Sequence, residues 1–217
     1  MTPYLAADRL ALLREGAWVF RGVDLEADRG RLVGVTGHPS SAHTRLLLCL
    51  AGRMRPSSGV ITLAGRPASP DTLRRHVGVG AVSSVSDLED ALRVGELLRE
   101  RAAFEGRWRR RRGLVDGLLA RVGLYVPPKT LVRDLDAAQR VRLAVASALV
   151  GAPDAVVVDG ADRGVPARER PGIWRLLRGI ADDGVAVVAA GVDAPAAAAH
   201  ADLVVPVGVE PAVESYA

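Results

Sequence analysis

The stretch "VGVTGHPSSAHTRLLLCLAG", Val33 to Gly52, decides the fold. It begins with alternating β-branched residues, passes through a Gly-, Pro- and Ser-containing turn, and continues as an apolar run at helical spacing. A strand, a tight turn and a helix in that order form the usual seat of a phosphate loop, because the helix N-terminus and its free N–H groups attract anions. The G-x-x-x-x-G-K-[ST] pattern maps onto Gly37-His38-Pro39-Ser40-Ser41-Ala42-His43-Thr44. Gly37 and Thr44 match it. Ala42 replaces the second glycine, and His43 stands where the pattern has lysine.

The rest of the chain must bury this unit. Of its 217 residues, 49% are hydrophobic and 25% are charged, which is enough apolar material for a packed core. The net charge is +4 and the isoelectric point about 9.9. Lys129 is the only lysine, so arginine carries nearly all the positive charge. With abundant Ala, Val and Gly, this reads as a GC-rich coding bias and not as the footprint of a nucleic-acid partner. Cys49 is the only cysteine, which excludes an internal disulfide, and its setting in "RLLLCLAG" predicts a small core residue. "MTPYLAADRL" lacks the basic start and apolar stretch of a signal peptide, and no run reaches the roughly 20 apolar residues that span a bilayer. The expectation is a cytoplasmic protein, able to sit peripherally on the inner face of a membrane.

Five short β-branched segments predict buried parallel strands: 31–37, 76–83, 154–160, 184–191 and 201–208. "YLAADRLALL", "AWVFRGVDLEAD" and "GVITLAGRP" alternate apolar and polar residues and predict a small antiparallel sheet. From about Asp87 to Gly151 the pattern is helical, with "YVPPKT" (125–130) as a loop. Leu114, Leu118 and Val122 share one helical face, as do Val141, Val145 and Leu149. The predicted fold is therefore α/β: a mainly parallel sheet with helices on both faces and a small antiparallel β part. Residues 1–86 and 152–217 make the core, and 87–151 an inserted helical subdomain.

The order and spacing of these segments resemble the nucleotide-binding domain of ATP-binding cassette (ABC) transporters, a P-loop NTPase-like fold. "LLLCLAGRMRPSSGVITLAGRP" is similar to the helix, turn and strand after that family's phosphate loop. "RDLDAAQRVRLAVASALVGAPDAVVVDGADRG" is similar to its signature helix and Walker B strand. The resemblance implies ATP and Mg²⁺ bound between two such domains, and membrane subunits driven by the cycle.

The family's functional positions are largely substituted. A histidine at 43 is shorter than lysine and mostly neutral at pH 7. Pro39 lacks an N–H, and Ser40 replaces a further glycine. The nucleotide-facing positions are Gly37, Ser40, Ser41, Ala42, His43, Thr44 and Arg45, with Arg14 where the family stacks an aromatic on adenine. The family's glutamine falls at Ser84. The signature L-S-G-G-Q is Leu135-Asp136-Ala137-Ala138-Gln139, where Asp136 would repel a triphosphate and makes a good N-cap. Walker B keeps Asp159 but has Gly160 in place of the glutamate. Asp162 is a weak substitute. The next loop reads Gly164-Val165-Pro166, and the switch histidine aligns with Gly191; His200 reads as a helix end.

Losing a general base alone typically costs ~10²–10⁴ in rate, and losing the cation on the transferring phosphate removes a further electrostatic contribution. The expectation is a pseudo-ATPase with no catalytic residues and no required cofactor. Thr44 and Asp159 are retained as candidate Mg²⁺ ligands, and any ATP binding should be weak. The implied partners are a homologous ATPase subunit, as homodimer or heterodimer, and ABC membrane subunits, whose short helix would enter a groove near Ser84 to Glu96. Membrane association would be indirect, and no nucleic acid is expected. Two other functions stay open: slow residual hydrolysis through His43, Thr44 and Asp159, and binding of nucleic acid or anionic lipid by "GRWRRRRG" (106–113).

Overall fold

The computed structural model describes residues 2–37, 41–80, 88–104 and 113–207. Strands β1 (Leu5–Arg14) and β2 (Ala17–Ala27) form an antiparallel hairpin, followed by β3 (Leu32–Thr36) and α1 (Ser41–Leu50). Next come β4 (Ser58–Leu63), β5 (Arg66–Pro67), α2 (Pro70–His76) and β6 (Val77–Gly80). Three helices follow: α3 (Val94–Phe104), α4 (Leu114–Arg121) and α5 (Ala137–Leu149). The chain then alternates β7 (Ala155–Val158), α6 (Arg170–Asp182), β8 (Ala186–Ala190), α7 (Ala194–His200) and β9 (Leu203–Pro206).

Two sheets result. One is antiparallel, in the order β2-β1-β4-β5; the other is parallel, in the order β6-β7-β8-β3-β9. All five predicted parallel strands are present. They read as unbroken apolar runs because both faces of the parallel sheet are covered. Val156, Val158, Val187 and Ala189 join one core with α3 to α7. Their neighbours Ala155, Val157, Val188 and Ala190 join a second core with α1, α2 and the antiparallel strands. The period of two along each strand thus divides the hydrophobic interior into two layers. Helix α5 lies so close to β6 that a Cβ on Gly78 would stand 2.3 Å from the Ala148 carbonyl oxygen.

Between β6 and β7 the described elements are helical, with one departure from the sequence reading. The helix predicted from Asp87 starts only at Val94. Arg93 instead bridges Leu131, the Val94 N–H donates to Thr130 and the Val132 N–H donates to Leu92. These long-range backbone bonds draw residues 92–94 into an extended path alongside 130–132, and the Glu96 carboxylate caps the new helix start at the Arg93 N–H, 2.9 Å away. The face formed by Leu118 and Val122 is buried, as is that of Val141, Val145 and Leu149.

A polar clasp joins the two sheets at the edge opposite the phosphate loop. Asp154, just ahead of β7, accepts from the Tyr4 hydroxyl (2.8 Å) and the Arg29 guanidinium (2.6 Å) and lies 3.0 Å from His76 Nδ1. Burial, then the neighbouring Asp154 carboxylate, push the Tyr4 hydroxyl up to about 12. Among the described residues no helix is long and apolar enough to cross a membrane.

Candidate functional site

Strand β3 delivers the loop at Gly37 to the carboxyl edge of the parallel sheet, where ligands of open α/β sheets bind. Gly37 has φ of +138°, and a Cβ there would lie 2.3 Å from the Val207 carbonyl oxygen. Glycine is required by this contact as well as by the turn. The Val207 N–H donates to the Thr36 carbonyl at 2.7 Å, which draws the end of β9 against the loop.

His43 does not reach outward as a lysine would. It is 3% exposed, and its Nε2 lies 3.1 Å from the Val207 carbonyl oxygen. Since that oxygen can only accept, the ring donates through Nε2–H. Ala42, at the second glycine position, is fully buried. Thr44 and Asp159 are brought together: the Thr44 hydroxyl donates to Asp159 Oδ2 at 2.5 Å. Asp159 is 1% exposed, and its Oδ1 is the one buried side-chain polar atom without a hydrogen-bond partner among the described residues. Such an orphaned oxygen is costly unless something meets it. It fits Mg²⁺, which prefers hard oxygen ligands and keeps much of its water. The protein would supply Asp159 and the Thr44 hydroxyl. Among the described residues no group of three or more acidic, histidine or cysteine side chains could hold a metal by itself.

Of the remaining loop positions, Ser40 lies outside the described residues and Ser41 begins α1. Arg45, one residue after Thr44, is half-buried. Arg14 ends β1 opposite Ala17 and is exposed. Cys49 is fully buried, and burial pushes its thiol up to about 12 against the opposing field of Arg14, so it is an inert core residue.

At the end of β7, Gly160 has φ of +57°, and a Cβ there would stand 3.3 Å from the Arg163 Nε. The direction a glutamate side chain would take is already filled by Arg163. Asp162 is fully buried and accepts three hydrogen bonds: from Trp174 Nε1 (3.0 Å), the Val192 N–H (2.7 Å) and the Asp193 N–H (3.1 Å). Both of its oxygens are engaged by these donors, and the residue is shut away from solvent. The same network occupies the switch position, because a Cβ on Gly191 would lie 2.6 Å from the Trp174 ring and 2.9 Å from Asp162. Asp193 caps α7 and pairs with Arg170 at 3.4 Å, and Arg170 also donates to the Val165 carbonyl. The loops after β7 and β8 are thereby cross-linked. No sequence signal paired Asp162 with Trp174; an indole twelve residues away on the apolar face of α6 reads as plain core. His200 is a helix end, its Nδ1 3.0 Å from the Ala196 carbonyl.

Leu135 to Gln139 lead into the first turn of α5. Asp136 is its N-cap in a reciprocal capping box: its carboxylate accepts from the Gln139 N–H (2.8 Å), and the Gln139 side chain accepts from the Asp136 N–H (3.1 Å). Leu135 is buried, and Ala137 and Ala138 are half-buried in the first turn. Ser84 and the arginine cluster at 107–112 lie outside the described residues.

A family model described as "ABC transporter" matches residues 20–162. Over 207 residues the chain is 31% identical to a putative ABC transporter ATP-binding protein of Streptomyces avermitilis, covering 94% of this chain and 36% of the relative. It is 30% identical over 178 residues to a Nod factor export ATP-binding protein I of Cupriavidus pinatubonensis, covering 78% of this chain and 53% of the relative. The chain thus spans about a third to a half of the length of these curated relatives. Among solved structures, cbiO1 from Clostridium perfringens, described as part of an ABC transporter complex, superposes with a TM-score of 0.79 at 20% identity, covering 95% of this chain and 85% of that one. A bacterial ABC transporter cassette solved as a dimer gives 0.78 at 18% identity, covering 94% of each. Two sheets in this order, a strand–turn–helix at the phosphate-loop position and a family match over residues 20–162 place the chain in the ABC transporter family, with the fold of its nucleotide-binding domain.

Proposed function

We propose that this chain is a noncatalytic member of its family, a pseudo-ATPase that serves as a structural or regulatory partner of an active ATPase subunit or of membrane subunits. One observation carries the reading: the side chain in the lysine position is buried and hydrogen-bonded to the Val207 carbonyl. A phosphate at the loop would meet no lysine there, and freeing His43 would break a buried hydrogen bond, at a cost of about 1 kcal/mol. The absent glutamate and the engaged Asp162 remove the means of orienting a water. Residues 1–86 and 152–217 act as the core and 87–151 as the inserted helical part. The partner surface is the groove lined by Leu88, Leu92, Leu97, Phe104 and Ala144, which overlaps the segment expected to receive a membrane-subunit helix. Phe104 is 80% exposed there, an apolar cost that a partner would remove.

A second reading has its own support. The orphaned Asp159 Oδ1 and the half-buried Arg45 suit Mg²⁺–ATP binding without turnover. Titration of the full chain with a fluorescent ATP analogue and Mg²⁺, alongside a turnover assay on the chain and its His43→Ala variant, separates the two. The pseudo-ATPase reading expects a dissociation constant weaker than roughly 100 μM and indistinguishable, negligible turnover in both proteins. Tight binding with no turnover favours the second reading, and turnover that depends on His43 refutes both.

A further inference from the structure

A cleft of about 370 Å³ opens beside the start of α3, bounded by Arg93, Glu96, Arg99 and the turn Pro127-Pro128-Lys129. Its volume falls in the range of small-molecule sites. It shares no lining residue with the groove on the Leu97 and Phe104 flank of α3, and none with the phosphate loop or the start of α5. The turn is rigidly built. The Thr130 N–H donates back to the Pro127 carbonyl at 2.9 Å, and the Pro128 and Thr130 carbonyls accept from the Gly95 (2.8 Å) and Val94 (2.9 Å) amides. Arg93 Nη1 donates to the Lys129 carbonyl at 2.9 Å. Every carbonyl from Pro127 to Thr130 is thus engaged, and two pyrrolidine rings restrict the backbone. A Cβ on Gly95 would stand 3.0 Å from the Pro128 Cβ and 3.1 Å from Arg99 Nη2. Glycine at 95 therefore lets the turn close on the helix and lets the Arg99 guanidinium fold back over it. Two properties of this cleft point to a ligand. Its surface is mostly carbon, as proline rings and the methylene stems of Arg93, Arg99 and Lys129 would make it. Its cations are in excess. Arg99 and Lys129 are exposed, and their side chains make no hydrogen bond or ion pair among the described residues. Glu96 is the one carboxylate among the described lining residues, and Arg93 already engages it through its N–H at 2.9 Å and its guanidinium at 3.6 Å.

We propose that this cleft binds a small amphiphilic carboxylate, an acid head on a hydrocarbon body. The hydrocarbon packs on Pro127 and Pro128 and leaves water, while the head takes charge-assisted hydrogen bonds from Arg99 and Lys129. A doubly charged phosphate is disfavoured, because a carbon wall offers little to replace its water. The site is separate from the phosphate loop, so it stands whether or not that loop binds ATP.

Calorimetric titration of the full chain with octanoate, octanol and acetate tests this. Octanoate is expected to bind at least about tenfold more tightly than either of the others. Arg99→Glu and Lys129→Glu should each weaken octanoate by at least about tenfold. Arg175→Glu makes the same charge change at an exposed arginine outside the cleft and should leave octanoate binding as in the parent. Thermal melting is read for every variant. The Arg99 and Lys129 side chains support no described hydrogen bond, so their variants should melt with the parent. Absence of saturable octanoate binding overturns the proposal, as does binding indifferent to either substitution. Octanol binding as tightly as octanoate would refute the acid head, and acetate binding as tightly would refute the hydrocarbon body. An equal loss in Arg175→Glu would reduce the effect to bulk charge and refute the site.

Discussion

Removing the Asp162 carboxylate should be among the most damaging single changes in this chain. The residue is fully buried and gathers the Trp174 indole N–H and the backbone N–H groups of Val192 and Asp193. Asp162→Ala leaves three donors without an acceptor. A buried donor left unmade costs about 1–3 kcal/mol. Trp174 is fully buried and carries the full cost, whereas the two loop amides can recruit water in part. The expected loss is about 3–5 kcal/mol. Asp162→Asn keeps one acceptor oxygen but turns an NH₂ toward the other donors, and should cost about 2–3 kcal/mol. Trp174→Phe removes a single donor and leaves the carboxylate two others, so about 1 kcal/mol is expected. The two residues contact each other, so the double variant should be less destabilised than the sum of the singles, by about 1 kcal/mol. Urea unfolding with an unchanged m-value reads these differences, and hydrogen exchange at the Val192 and Asp193 amides reports whether the two loops separate first. A loss below about 1 kcal/mol for Asp162→Ala, or strict additivity in the cycle, would refute the view that this network cross-links the loops.

Two further outcomes follow from the geometry. Gly160→Glu, which restores the family's carboxylate, should not restore turnover: its backbone sits at φ of +57° and Arg163 lies 3.3 Å from the new Cβ, so melting should fall by the equivalent of about 1–2 kcal/mol, and a gain in ATP hydrolysis would contradict this. The Asp154 carboxyl is held below its ordinary value of 3.8: partial burial alone would raise it, but the His76 and Tyr4 hydrogen bonds and the Arg29 guanidinium outweigh burial. A depressed folded value gives stabilisation that is fully present above the ordinary value and is lost as pH falls through the folded value. Asp154→Asn should therefore flatten the acid limb of the stability curve below pH about 4, by under about 1 kcal/mol because the pair is partly exposed; an unchanged slope in urea unfolding at stepped pH would exclude the clasp as a contributor.

Local pattern carried the strand, turn and helix around Gly37, His43 and Thr44, because these elements are contiguous in the chain. Asp136 was legible as an N-cap because capping needs only residues three apart, and the reciprocal bond with Gln139 meets that condition. The start of α3 was not legible, because the bonds that move it to Val94 come from residues 130–132, more than thirty positions away.

The sequence alone determined the fold, since apolar runs of strand length, helical periodicity and turn residues are local properties whose combination few architectures satisfy. It also determined which side chains stand at the positions that resemble the family's motifs, because a side chain that is not encoded cannot be supplied by folding. Where the remaining groups point was decided only by the tertiary structure. The carbonyl that engages His43 belongs to Val207, and the donors that occupy Asp162 come from α6 and the loop after β8. These partners are remote in the chain. Hydrogen bonds form between groups within about 3 Å in space, and nothing in a linear order of residues encodes that proximity until the sheet brings its strands side by side.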